Sequence, residues 1–476
     1  MKYSQFIAGE FTAGSALQRI ELLSPSTGES LGDYAMASGD DVQRAIAAAK
    51  TAFALWKNSG ALQRSDLLRR IADEMRADRD AIAHQISAEL GKPHAEAQKE
   101  VDTAAEMFEW SAEEARRLYG RVIPARAPGI RQTAQFEPCG VVAGFSGWNA
   151  PAITPARKIS AALAAGCTIV IKPSEETAGV ALLMARAMAR AGAPAGSVNM
   201  VFGDPAQIAD QLCQSPDIAM ITFTGGTEVG RQLGAKAAQS MKRATLELGG
   251  HAPVIVWNDV DLAQVAASCV ATKYRNAGQI CTSPTRFLVH ESVYADFCDR
   301  FVQHAQKLRL GDPFDARTQM GPLKNQRRRA AIERLVANAV ASGAQLLTGG
   351  KAAAGPGFFY EPTVLALRDL RADAAHVEPF GPVALLIAVK DADEALREAN
   401  RLPFGLAAYA FTQNMQLAHR FANEIESGVV CINELQASLP ETPFGGYKDS
   451  GLGSEGGIEG LREFLKVKCV RQGGLA

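Results

Sequence analysis

Four times between residues 140 and 230 a short run of apolar and β-branched residues ends in Gly, Pro, Ser or Thr and gives way to a helical pattern: GVVAGFSGWNAP, CTIVIKPSEET, VNMVFGD and MITFTGGTEVG. Repetition of strand, loop and helix points to a parallel sheet with helices on its faces, because parallel strands need a long crossover to bring the chain back. Ligands of such sheets bind at the carboxyl ends of the strands, so the polar residues of these loops are the first functional candidates. A second series of strand and helix signals starts at HAPVIVWNDVD and continues to about residue 448. The sequence therefore predicts an α/β protein with two doubly wound units. Ahead of both, Val42, Ile46, Ala49, Phe53 and Trp56 fall at helical spacing between Asp41 and Lys57, with Asp40 or Asp41 available as N-cap.

The segment RVIPARAPGIRQTAQFE, residues 121–137, suits an extended ribbon, and EFLKVKCVRQ near the end alternates as a strand does. Two exposed strands invite edge pairing between subunits, so a homodimer or homotetramer is expected. A net charge of -1 gives no field that would gather a phosphate backbone, and no nucleic-acid partner is expected. No apolar run approaches the roughly 18 residues of a membrane span, and the first residues lack the apolar core of a secretory signal. Eight cysteines without a CxxC pair and seven dispersed histidines argue against a disulfide framework or a metal site, so the expectation is a cytoplasmic, metal-free protein without membrane contact. GLGSEG, residues 451–456, matches G-x-G-x-x-G, but no convincing strand precedes it and too little chain follows for a βαβ unit of about 30 residues. It reads as a glycine-rich loop.

In YRNAGQICTSPTR, Cys281 lies between a helix starting near Asp261 and the strand RFLVH. A cysteine there is a nucleophile if a helix terminus or positive neighbour favours its thiolate, and a buried structural residue otherwise. Glu247 in LELGGH, Asn149 in SGWNAP and Glu378 in VEPFGP are likewise framed by glycine, proline or aromatic residues at strand ends. Singly, each reads as an ion-paired carboxylate or a turn former. Together they carry more.

In this order, GWNAP, IKPSEET, FTGGTEVG, LELGG, GQIC, EPFGPV and PFGGYKDSG run through the whole chain, which thereby resembles the aldehyde dehydrogenase superfamily. The resemblance implies an aldehyde dehydrogenase-like fold: an NAD-binding domain (1–120 and 139–249), a catalytic domain (250–448), and a small β oligomerisation element with the C-terminal tail (121–138 and 449–476). It implies that Cys281 attacks an aldehyde to give a thiohemiacetal, with the Asn149 amide and the Cys281 backbone N–H holding the oxyanion. Hydride transfer to the nicotinamide leaves a thioester on Cys281, and Glu247 activates the water that hydrolyses it. Lys172 and Glu175 are implied at the adenosine ribose, Glu378 at the nicotinamide ribose, Trp148, Phe380 and Thr224 nearby, and Gly225 and Gly226 at the diphosphate. A carboxylate at 175 repels a 2′-phosphate, so NAD is expected over NADP, a preference that Lys172 softens. Three departures stand out: Gly226 replaces a usual serine, Gly147 a usual proline, and Val377 a frequent glutamate.

Arg157 and Arg275 match the arginines that bind the substrate carboxylate in succinate-semialdehyde dehydrogenases, and Ser438 approximately matches the serine that completes that site. Two guanidinium forks and a hydroxyl suit a carboxylate. The alternative for Arg157 is a helix cap or a structural ion pair. Succinate semialdehyde is the expected substrate type, with glutarate semialdehyde or a bulkier aromatic or heteroaromatic aldehyde as rivals, since one methylene changes binding by only about 1–3 kcal/mol. Ala150, where many relatives have Phe, leaves room for a larger group. Ser283 replaces the second cysteine that closes a local disulfide in some members. Acyl transfer to coenzyme A, cofactor-free cysteine hydrolysis and a non-catalytic homologue are poorer readings, because Glu247, the nucleotide segments and the intact trio of Cys281, Glu247 and Asn149 argue against them in turn.

Overall fold

The four runs become the strands Val141–Phe145, Thr168–Lys172, Val198–Met200 and Ile218–Thr224 in the computed structural model, which describes residues 3–474. They belong to an eight-stranded sheet ordered Glu10–Thr12, Gln5–Ile7, Val198–Met200, Thr168–Lys172, Val141–Phe145, Ile218–Thr224, Arg243–Glu247 and Gly451–Leu452. Its central five strands are parallel. Val141–Phe145 and Thr168–Lys172 are buried at every position, as strands covered on both faces must be. The chain enters at Val141–Phe145, steps outward to Val198–Met200, and returns to the opposite side with Ile218–Thr224. The loops after Phe145 and Thr224 thus flank the crevice where the strand order reverses.

A seven-stranded sheet follows, ordered Gln345–Thr348, Thr363–Leu367, Val383–Val389, Arg286–His290, Pro253–Val256, Ala407–Phe411 and Val429–Ile432, parallel except for its first pair. A third sheet pairs Leu465–Gln472 antiparallel with Arg131–Pro138, which also pairs with Arg121–Ile123. The ribbon and the final strand expected from sequence therefore meet each other, leaving Val122, Val467 and Val470 exposed. No helix of the described residues is long and apolar enough to cross a membrane.

Two local expectations are corrected. The first long helix spans Gly39–Trp56, and its N-cap is Ser38 rather than Asp40 or Asp41. Ser38 accepts from the Asp41 N–H while Asp41 accepts from the Ser38 N–H, a reciprocal capping box that satisfies two free amides. GLGSEG is not only a loop: Gly451–Leu452 adds an antiparallel edge to Arg243–Glu247. A Cβ on Gly451 would stand 2.6 Å from the Leu246 carbonyl oxygen, so this glycine serves close backbone approach.

Candidate active site

A cavity of about 1280 Å³ lies at the carboxyl ends of the first sheet's strands, closed by loops of the second sheet. Asn149 follows Val141–Phe145, Thr224 and Glu247 end their strands, Cys281 precedes Arg286–His290, and Glu378 and Phe380 precede Val383–Val389. Its walls bring together Trp148, Asn149, Arg157, Thr224, Gly225, Gly226, Glu247, Arg275, Cys281, Glu378, Phe380 and Ser438. Of the site residues named from sequence, Lys172 and Glu175 alone lie outside this wall. They pair with each other beside it, at the end of Thr168–Lys172.

Asp261 caps the helix Leu262–Lys273 by accepting from the Ala263 and Gln264 N–H groups, and the loop beyond it carries Cys281. The thiol opens on the cavity, yet protein surrounds it. Burial pushes its pKa well above the usual thiol range, the Glu247 carboxylate pushes it further, and Arg157 pulls weakly the other way. No net positive influence favours the thiolate here: burial and the neighbouring Glu247 carboxylate both favour the neutral thiol, so a base has to take its proton before it attacks. Glu247 is itself raised to about 7, by burial first and by Glu455 second, against Lys158 and Arg157. Its Oε1 has no hydrogen-bond partner. Ser283 accepts from Lys273 Nζ at 3.1 Å.

Arg157 sits inside the helix Ile153–Ala165, buried, and donates from Nη2 to Ser438 Oγ at 2.7 Å. Its guanidinium lies 4.6 Å from the centre of the Phe444 ring and 3.8 Å from the Glu455 carboxylate, while Nε has no partner. Arg275 is exposed on the cavity wall. The clamp residues thus face one cavity, and the structural ion pair considered for Arg157 is present as well.

Sequence reading missed Lys158, Glu455 and Arg328. Lys158 Nζ pairs with Glu455 and donates to Thr222 Oγ1 at 3.1 Å and Thr224 Oγ1 at 2.8 Å, all buried. The signal was an Arg-Lys pair inside the apolar helix ITPARKISAALAA, and the lone acid of GLGSEG. Arg328 lines the cavity, donates to the Pro379 carbonyl at 3.0 Å, and is close enough to Glu378 for their charges to interact. Glu378 is raised to about 8, by desolvation first.

Several features suit a dinucleotide. The helix Thr227–Gln239 starts at Gly226 with no side-chain cap, leaving first-turn N–H groups for an anion. A Cβ on Gly226 would meet nothing within 4 Å, so the space before that helix end is open. Arg328 Nε and Glu247 Oε1 are buried polar atoms without partners, of the kind a bound group satisfies. Trp148 and Phe380 meet edge to face, with ring centres 5.6 Å apart.

The sequence profile of the Aldehyde dehydrogenase family matches residues 11–470. A 4-(hydroxymethyl)benzenesulfonate dehydrogenase of Comamonas testosteroni is 44% identical over 464 residues, covering 98% of this chain and 97% of the relative. The NADP(+) succinate-semialdehyde dehydrogenase of Escherichia coli K12 is 38% identical over 464 residues, covering 98% and 96%. Among solved structures, a succinate-semialdehyde dehydrogenase from Burkholderia pseudomallei superposes with a TM-score of 0.97 at 41% identity, over 99% of this chain and 98% of that one.

Proposed function

The chain belongs to the aldehyde dehydrogenase family, and we propose on that footing that it oxidises an aldehyde carrying a distal carboxylate, succinate semialdehyde or a close analogue, to the acid. The observation that carries the reading is the convergence of Cys281, Glu247 and the Arg157–Ser438 pair, with Arg275, on one cavity.

Cys281 Sγ attacks the carbonyl carbon while its proton passes to the Glu247 carboxylate, the base that already lies beside the thiol. The carbonyl oxygen gains the negative charge, and the Asn149 amide and the Cys281 backbone N–H stabilise it. A nicotinamide dinucleotide, when bound, would supply the hydride acceptor; loss of hydride from the adduct leaves a thioester on Cys281. Glu247, once it has released the thiol proton to solvent, takes a proton from water as the hydroxyl adds to the thioester carbon; the C–S bond breaks and the Cys281 thiolate leaves. Trp148, Thr224, Gly225, Gly226, Glu378, Phe380 and Arg328 would hold the nicotinamide half and diphosphate, and Lys172 with Glu175 the adenosine ribose. The Glu175 carboxylate favours free ribose hydroxyls over a 2′-phosphate, and its pairing with Lys172 tempers that, so NAD is preferred and NADP accepted. The small sheet leaves exposed valines on both of its outer strands, Val122 on Arg121–Ile123 and Val467 and Val470 on Leu465–Gln472, which supports assembly into a homodimer or homotetramer; the expected location is the cytoplasm.

A second reading is an aryl aldehyde carrying a sulfonate. The benzenesulfonate in the Comamonas testosteroni relative's name supports the aryl and sulfonate parts of it, and Ala150 on the cavity wall leaves space for a ring. Three sulfonate oxygens would meet the same guanidinium and hydroxyl donors.

The mechanism is tested by mixing Glu247→Gln with aldehyde and NAD and weighing the intact protein. The expected result is one equivalent of NADH, formed more slowly than in wild type because the base that takes the Cys281 proton is gone, and an acyl group retained on the chain, both lost in Cys281→Ala. Turnover at the wild-type rate without an accumulating adduct would contradict it.

A further inference from the structure

Asn149 and Cys281 reach the cavity from different sheets, so one loop has to be fixed against the other. Asn276 spans them. Its Nδ2 donates to the Asn149 carbonyl at 3.0 Å and to the Gln279 carbonyl at 3.1 Å, and its backbone N–H donates to Glu96 Oε2 at 3.1 Å. Gln279 returns a bond from Nε2 to the Asn276 carbonyl at 3.0 Å and accepts at Oε1 from the Lys324 N–H at 2.9 Å. Only 3% of Asn276 is exposed. Lys92 Nζ also reaches the Asn149 carbonyl, at 3.4 Å, but its partner is Glu100, so it does not tie Asn149 to the nucleophile's loop.

These bonds are made from a disfavoured backbone. Asn276 (φ 47, ψ 34), Ala277 (φ 53, ψ 33) and Gly278 (φ 72) form a left-handed turn three residues ahead of Cys281. Left-handed geometry is disfavoured for an L-residue, least for Asn among the residues that carry a side chain. Glycine is required at 278, where a Cβ would stand 2.1 Å from the Gly381 carbonyl oxygen. Such a turn persists where its surroundings over-determine it. Here the surroundings are the bonds to Asn149, Gln279 and Glu96.

We propose that Asn276 is a positioning residue for the oxyanion site. By clamping the Asn149 carbonyl to that of Gln279, two residues before the nucleophile, it makes the Asn149 amide and the Cys281 N–H converge on one oxygen. The proposal rests on the oxyanion role given to Asn149 above.

Asn276→Gly removes the amide while keeping the backbone freedom the turn needs, and Asn276→Asp keeps the shape but sets acceptors against two carbonyls. The expected result for Asn276→Gly is a fall in kcat of about 100-fold, the scale of a misplaced catalytic group. The aldehyde KM, the NADH Kd and the rate of Cys281 alkylation by iodoacetamide should stay within about threefold of wild type. In an Asn149→Ala background the same substitution should cost nothing further, since the group it positions is gone. Asn276→Asp, the variant to rely on should the glycine chain fail to fold, should regain rate relative to wild type as pH falls and its carboxyl becomes a donor. Equal fold-losses in both backgrounds, or a near wild-type Asn276→Gly beside an inactive Asn149→Ala, would overturn the positioning role alone. A fully active Asn149→Ala would remove the oxyanion reading and this proposal with it.

Discussion

Glu247 is set to about 7 by burial and Glu455, acting against Lys158 and Arg157. A base must be deprotonated to take a proton from water, so kcat should rise with pH through about 7. Glu455→Gln removes a raising charge and should move the profile down, whereas Lys158→Met removes a lowering one and should move it up. Superimposable profiles would contradict this electrostatic account. The same shift governs stability. The folded chain holds a proton on Glu247 that the unfolded chain releases above its ordinary pKa of 4.5, so this contribution is full below 4.5 and lost as pH rises through about 7. At pH values above that, Glu247→Gln should be more stable than wild type by on the order of 3 kcal/mol in denaturant unfolding, from the rise from 4.5 to about 7 at about 1.4 kcal/mol per pKa unit. Equal stability would mean that the carboxylate is better solvated than its burial implies.

Among the elements, the helix Gly39–Trp56 offers a separate test, because its start rests on the reciprocal bonds of Ser38 and Asp41, and Asp41 Oδ2 also accepts from the Ser15 N–H at 2.8 Å. Ser38→Ala should cost about 1 kcal/mol in chemical denaturation with kcat unchanged. No loss would show that Asp41 alone holds this helix start. The same helix shows what periodicity can give: Val42, Ile46, Ala49 and Trp56 were legible as its buried face, while the cap was not, because choosing between neighbouring polar residues depends on backbone angles that spacing does not encode. Strand-end loops were legible as well, since glycine, proline and asparagine mark where a parallel strand must turn. The Lys158–Glu455 pair was not: its members lie 297 residues apart, one in an apolar helix and one in a stretch that reads as a glycine-rich loop. The left-handed turn at Asn276–Gly278 was equally hidden, because Ala277 carries no compositional sign of its conformation.

Across the whole molecule, two sheets each contribute half of a site that neither builds alone. The loops carrying Asn149, Thr224 and Gly226, and Glu247, come from the first, Cys281 and Glu378 from the second, and Ser438 joins Arg157 across 281 residues of chain. The central claim is that this convergence selects an aldehyde by a distal anion. The most direct measurement is kcat/KM for NADH formation with succinate semialdehyde against butyraldehyde, which has the same chain length without the carboxylate, in wild type, Arg157→Ala and Arg275→Ala. The predicted result is a preference of at least about 100-fold for the acid in wild type, the scale of roughly 3 kcal/mol for a charge-assisted pair, collapsing in either variant while butyraldehyde turnover changes little. Equal values for the two aldehydes in wild type, or a preference that survives both substitutions, would contradict it.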